Sequence, residues 1–134
     1  NNLLYDINSL ADVQKMPNYH NTSETINNRA RAYLDVNCAH CHQEGSHCSY
    51  RPIRFAFSES GDPNNLGICV DLDEGRPSKI KVVTPSLNER SVMYSRLNPE
   101  AEEFRMPLLG RTIIHKEAVE MIGQWIDGIT TECE

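Results

Sequence analysis

The segment Cys38-Ala39-His40-Cys41-His42 carries the residues with the clearest chemistry in this chain. Two thiols three positions apart, followed directly by an imidazole, form the C-x-x-C-H pattern of covalent c-type haem attachment. The thiols of Cys38 and Cys41 suit thioether bonds to the two haem vinyl groups, and His42 suits the proximal position on the iron. His40 lies between the cysteines and is not expected to reach the same iron. The segment therefore predicts one covalently bound haem c.

Two other chemistries use a C-x-x-C pair. A redox dithiol is expected next to a βαβ unit, and no such pattern precedes this pair. A zinc site is the second alternative, with His42, His47 or Cys48 completing the four ligands. Structural zinc usually takes two separated pairs of ligands, and no second pair of that kind follows. A zinc-stabilised interaction module therefore stays open as the lesser alternative.

The ligand on the other face of the iron is a separate question. Four methionines compete for it: Met16, Met93, Met106 and Met121. Met93 and Met121 fall in helical patterns and are expected in the core, whereas Met16 lies in the opening segment. Met106 stands in a loop directly before Pro107, which restricts it to extended geometry and helps to hold its thioether toward a flat cofactor. We therefore predict Met106 as the distal ligand, with His115 and His20 as the competitors.

The two axial ligands determine whether the iron transfers electrons or binds small molecules. A thioether favours ferrous iron and raises the reduction potential, and two occupied axial positions leave no site for oxygen or peroxide. This ligation predicts an electron carrier rather than an enzyme. If Met106 does not bind, the alternative is a haem peroxidase or ligand sensor with an open distal site.

Hydrophobic periodicity predicts three helical segments that position these residues: 23–38, 85–98 and 115–127. Thr22 or Ser23 is the expected N-cap of the first helix, and Gly128 the expected stop of the last. Gly123 is expected to pack closely against the first helix. Three large side chains are expected to wall the haem pocket: Tyr33, Leu97 and Trp125.

The region between the motif and the second helix is rich in turn residues, with a short strand expected at 80–83. One of its basic side chains is a candidate partner for a haem propionate: Arg51, Arg54, Arg76, Lys79 or Lys81. Three cysteines remain after haem attachment. Because bacterial haem attachment takes place outside the cytoplasm, a disulfide is permitted. Cys48 and Cys69 are the preferred pair, and Cys133 is able to replace either partner.

The 134 residues fit one domain at 23–134, preceded by a strap or linker at 1–22. The formal charge of −6, made more negative by haem propionates, argues against nucleic-acid binding. It suits a redox partner, or an attached redox domain, with a basic docking patch. The acidic residues Glu100, Glu102 and Glu103 are the candidate contact. No apolar run reaches the length of a membrane span. The chain lacks an initiator Met and a signal-peptide pattern, so we expect it to begin inside a longer precursor.

From about residue 23 to 128 the chain resembles the class I cytochrome c family, in the order of helix, CAHCH, SVMYSRL helix, MPLLG loop and closing helix with QWIDG. It is especially similar to the cytochrome c domains at the C-terminus of larger bacterial periplasmic or secreted proteins, in which RARAYLDVNCAHCH, a later LGIC and MPLLGR recur in this order. The resemblance implies an all-α fold whose N- and C-terminal helices cross over the haem. It implies Cys38 and Cys41 as attachment sites, His42 and Met106 as iron ligands, and a periplasmic or extracellular location.

Overall fold

The computed structural model describes residues 15–72, 80–99 and 103–133. Its α-helices are α1 (Ile26–Leu34), α2 (Val92–Leu97) and α3 (Lys116–Asp127), and a 3₁₀ turn (Asn88–Arg90) precedes α2. These ranges contain helices and isolated β-bridges but no β-strand, which confirms the prediction of an all-α chain at that level. Several predicted features lie outside the described residues: the first 14 residues of the strap, Arg76, Lys79, Glu100 and Glu102.

The first helix begins later than predicted. Its N-cap is Thr25, whose hydroxyl accepts a hydrogen bond of 3.2 Å from the backbone N–H three residues on, and not Thr22 or Ser23. The side chains of Asn18 and Asn21 each accept a hydrogen bond from the backbone N–H two residues later, at 3.0 and 3.1 Å. These Asx turns satisfy the backbone locally and hold it out of the helix until Thr25.

The same helix widens at its C-terminal end. It continues as a π-helical turn over Asp35–Ala39. The side-chain amide of Asn37 donates a 2.8 Å hydrogen bond to the carbonyl of Tyr33, the acceptor that the Asn37 backbone N–H would use in a regular α-helix. The helical path therefore reaches the first motif cysteine, as the predicted span of 23–38 requires, but by a wider turn.

The core lies where α1 packs against α3. Ala30 and Leu34 on α1, with Ile122, Trp125 and Ile126 on α3, are buried in one apolar cluster. The indole N–H of Trp125 donates to the Asn27 side chain at 3.1 Å. The predicted closing helix is confirmed, since α3 runs to Asp127 and Gly128 is its C-cap.

The small residue on α3 faces a different neighbour from the one predicted. A Cβ built on Gly123 would lie 3.0 Å from Cε2 of Tyr94, and Tyr94 belongs to α2. Gly123 therefore permits close packing of α3 against α2 rather than against α1. The predicted helical segment at 85–98 is present only in part, because turns occupy its first residues and Asn98 caps α2 directly before Pro99.

The strand expected at 80–83 is absent from the described residues. Instead, isolated bridges join Ile68 to Val83, and Lys81 to both Asp71 and Ser91. Position 67, directly before the first of these bridges, requires a glycine. Its φ is +80°, and a Cβ there would clash with the side chain of Val82.

The disulfide joins Cys69 to Cys133, which lie 64 positions apart. The preferred pairing of Cys48 with Cys69 was wrong, and Cys133 takes the place of Cys48. The chain beyond α3 turns back along the middle segment, where the Ser86 hydroxyl donates a 2.7 Å hydrogen bond to the carbonyl of Ile129. Cys48 is instead tied to the C-x-x-C-H turn, since its N–H donates to the carbonyl of the second motif cysteine at 3.1 Å.

Candidate functional site

The C-x-x-C-H segment forms a single turn at the end of the π-helical segment. The backbone N–H groups of Cys41 and His42 both donate to the carbonyl of Cys38, at 3.1 and 3.0 Å. This turn brings the three predicted attachment and ligand residues together without help from distant parts of the chain.

Burial keeps the first thiol of this turn neutral. It raises the pKa of Cys38 to about 12, and the neighbouring Cys41 thiol adds to the rise. In disulfide oxidoreductases the reactive cysteine of a C-x-x-C pair has a lowered pKa. The environment of Cys38 is therefore unlike that of a redox dithiol.

The imidazole of His42 is held in the form that binds metals. Its pKa is lowered, first by burial and then by the charges of Arg54, His40 and Arg51, so the ring is neutral at neutral pH. The ring packs edge-to-face against Phe55, with 5.3 Å between centroids. Its Nδ1 atom is buried and has no hydrogen-bond partner. A buried polar atom in this state is costly unless another group satisfies it.

The three side chains predicted to wall the pocket are all buried in the main core cluster: Tyr33, Leu97 and Trp125. Tyr33 lies within electrostatic range of two regions. Its pKa rises to about 12, mainly through burial and then through Cys38 and Tyr19, while Arg111 lowers it. The pKa of Tyr33 is therefore affected both by the C-x-x-C-H turn and by Arg111.

Residues 103–115, which we call the Met106 loop, connect the region after α2 to α3. Met106 is half-buried, and its N–H donates a 2.7 Å hydrogen bond to the carbonyl of Arg96. Its own carbonyl accepts from Nη1 of Arg111 at 2.9 Å. Two of the other methionines, Met93 and Met121, are buried in the core as expected, whereas Met16 is exposed.

The two competing imidazoles belong to one aromatic cluster with Tyr19 and Tyr33. The ring of His115 is 5.7 Å from that of Tyr33, and the ring of His20 is 6.4 Å from that of His115. Tyr19 lies among them and packs edge-to-face against Tyr33 at 5.3 Å. His115 and His20 both stay predictions as alternatives to Met106 for the distal ligand.

The ligands of the zinc alternative do not form a set. Among residues 15–72, 80–99 and 103–133, no three His, Cys, Asp or Glu side chains are grouped as they would be around a metal ion.

Two of the basic side chains considered for a propionate already have carboxylate partners. Arg54 pairs with Glu44 at 3.1 Å, and Lys81 pairs with Asp71 at 2.7 Å.

Sequence reasoning missed three side chains near the site. Arg31 is nine-tenths buried, donates to the Ser60 hydroxyl and the Phe57 carbonyl at 3.1 and 2.6 Å, and stacks on the Phe57 ring. Asp35 accepts a 2.7 Å hydrogen bond from the Phe57 N–H. Both fix the loop that follows the motif. The third is Arg111, the last residue of MPLLGR. Its position five residues after Met106 was the sequence feature that could have marked it as a neighbour of the predicted ligand.

No protein-family model, curated protein or solved structure matches this chain. Within the part of the chain that the structure describes, none of the helices has the length and apolar character needed to cross a bilayer.

Proposed function

We propose that this chain is a class I cytochrome c that carries single electrons on one covalently attached haem c. The observation that carries the proposal is the turn that holds the thiols of Cys38 and Cys41 beside the neutral imidazole of His42. Two thiols and a neutral imidazole in one turn are the donor set that covalent haem attachment needs.

The residues of the chain divide the work of binding. Cys38 and Cys41 would hold the porphyrin, and His42 and Met106 would bind its iron. When bound, the haem supplies a one-electron change at its iron. The neutral thioether of Met106 favours the reduced iron, while Tyr33, Leu97 and Trp125 supply apolar walls that exclude water.

The all-α chain is proposed to adopt the class I cytochrome c fold. In the class I family a helix ends at the haem motif and crosses the C-terminal helix. Here α1 leads into the motif through the π-helical turn and packs against α3. The packing of α1 on α3 supports this fold, and the middle segment with its disulfide is a departure from the family pattern.

Two features support a location and a partner for the chain. The Cys69–Cys133 disulfide is compatible with an oxidising compartment, which supports the proposal of a bacterial periplasmic or extracellular protein. Its formal charge of −6 fits a redox partner, or an attached redox domain, with a basic docking patch. The chain itself is an electron carrier and not an enzyme.

The first test is covalent attachment. The chain is produced in a bacterial periplasm that matures c-type cytochromes, then denatured and weighed by mass spectrometry. We expect one haem mass to stay on the denatured chain. The double variant Cys38→Ala, Cys41→Ala should lose it, and Cys48→Ala, which removes a free thiol seven residues from Cys41, should keep it. A colourless wild-type protein with one zinc per chain would overturn the proposal in favour of the interaction module.

The second test identifies the distal ligand. The ferric wild-type protein should show the weak far-red band of iron bound by methionine sulfur. Met106→Ala should abolish this band, and Met16→Leu should leave it intact. A band kept in Met106→Ala would contradict the assignment, and a six-coordinate wild-type spectrum without the band would favour an imidazole such as that of His115. A five-coordinate wild-type spectrum with peroxide turnover would replace the electron carrier with the peroxidase or sensor.

A further inference from the structure

Arg111 makes a set of hydrogen bonds to backbone carbonyls around Met106. Its Nη1 donates to the carbonyls of Met106 and Arg96, at 2.9 and 3.3 Å, and its Nη2 to the carbonyl of Pro99 at 2.9 Å. Its Nε lies 3.3 Å from the carbonyl of Ile113 and donates to it. One guanidinium therefore joins the end of α2 to both sides of the Met106 loop.

Met106 is fixed by its backbone at the centre of this set. Its N–H donates to the carbonyl of Arg96 at 2.7 Å, and Arg111 bonds that same carbonyl as well as the carbonyl of Met106. The peptide groups on both sides of Met106 are thus tied to the last turn of α2. The arrangement needs several donors in one rigid plane, which a guanidinium has and a lysine ammonium lacks.

The charge of Arg111 also affects Tyr33 on α1. Burial raises the pKa of Tyr33, Cys38 and Tyr19 add to the rise, and Arg111 opposes it.

We propose that Arg111 is the positioning residue for Met106: it fixes the loop backbone so that the thioether is available to the iron without reorganisation. The proposal rests on the proposed function, in which Met106 is the distal ligand. A loop without this anchor exchanges its methionine more readily for water, hydroxide or an added ligand, because each exchange then disrupts fewer hydrogen bonds.

The test measures how firmly methionine stays on ferric iron in the haem-loaded full chain. Arg111→Gln should raise the affinity for added imidazole about tenfold, equal to about 1.4 kcal/mol. It should also lower, by about one unit, the pH at which the far-red methionine band disappears. Arg111→Lys keeps the charge but not the planar donors. Its imidazole affinity and the pH at which it loses the band should therefore lie between those of the wild type and Arg111→Gln.

The matched control is Lys116→Gln. Lys116 lines the same surface cleft as Arg111 and is exposed, so its substitution removes a nearby charge without removing a hydrogen bond to the Met106 loop within the described residues. Its imidazole affinity should match that of the wild type. An equal rise in both Gln variants would assign the effect to charge and overturn the positioning role.

The two proposals fail in different ways. A wild-type protein without the far-red band would remove Met106 as the ligand and with it the proposed ligation. A wild-type band combined with unchanged imidazole affinity in Arg111→Gln would overturn only the role of Arg111. If Arg111→Gln yields no folded protein, Arg111→Lys decides: a weakened methionine bond with wild-type urea stability supports positioning, and wild-type imidazole affinity overturns it.

Discussion

The helix crossing and the Met106 loop are held by different kinds of interaction. Where α1 meets α3, the helices contact each other mainly through buried apolar side chains: Leu34, Ile122 and Ile126 are each at most 1% exposed. In the Met106 loop several large apolar side chains are exposed instead, with Leu109 87% and Ile113 79% exposed. That loop keeps its shape through backbone carbonyls bonded to arginine side chains.

If Met106 binds a haem iron as proposed, this difference separates the stability of the fold from the strength of that iron–methionine bond. Burial of apolar surface contributes roughly 25 cal/mol per Å² and is shared over many contacts, so the crossing sets the overall free energy of unfolding. A polar anchor such as Arg111 contributes less to that total but fixes one stretch of backbone. We therefore expect changes in the crossing to unfold the chain, and changes in the loop to alter the iron ligand first.

The largest expected effect breaks the crossing itself. Trp125→Ala should lower the free energy of unfolding by about 3–5 kcal/mol, because it leaves a cavity and removes the hydrogen bond to Asn27. Leu109→Ala in the Met106 loop should change it by less than about 0.5 kcal/mol. Urea unfolding of both variants provides the measurement. Equal losses would mean that the loop shares in the core.

The next effect concerns the covalent link between the middle segment and the chain beyond α3. Replacing Cys69 and Cys133 by serine should lower the free energy of unfolding by about 2–4 kcal/mol, since the bridge restricts a long loop in the unfolded chain. Cys48→Ser should lower it much less. The far-red methionine band should survive the double substitution, and its loss would show that the disulfide also positions the loop.

A pH-dependent effect centres on Tyr33, which lies between the two regions. Its pKa is raised to about 12 in the folded protein, from about 10 in the unfolded chain. The stabilisation is complete below pH 10 and is lost as the pH rises toward 12, because the unfolded chain releases the proton first. At pH 11 the wild type should have lost about 1.4 kcal/mol that Tyr33→Phe retains. Urea unfolding at several pH values provides the measurement. Parallel curves of unfolding free energy against pH for the wild type and Tyr33→Phe would contradict the prediction.

The smallest effect lies at the start of α1. Thr25→Ala removes the hydroxyl that caps the helix and should cost about 1 kcal/mol of unfolding free energy, with Thr25→Ser restoring most of it. The haem spectrum should not change, because the cap lies at the opposite end of α1 from the motif. A shifted spectrum would mean that the whole helix, and not only its last turn, sets the ligand geometry.

The features predicted well were those written in contiguous residues. Both ends of α3 followed from one apolar stripe and a terminal glycine, and the burial of Met93 and Met121 followed from helical spacing. The start of α1 was placed too early, because Asn18 and Asn21 compete for the backbone before Thr25 does. The predicted haem ligation itself stays a prediction until a spectrum is recorded.

The sequence by itself determined which reactive groups lie together: two thiols and an imidazole within one turn, at the end of a helix. This information is local because hydrogen bonds between near neighbours build the turn. Which cysteine pairs with Cys69 and what Gly123 packs against were decided only when distant segments met. Those choices depend on how helices pack and where the chain returns, and residue spacing does not encode either one.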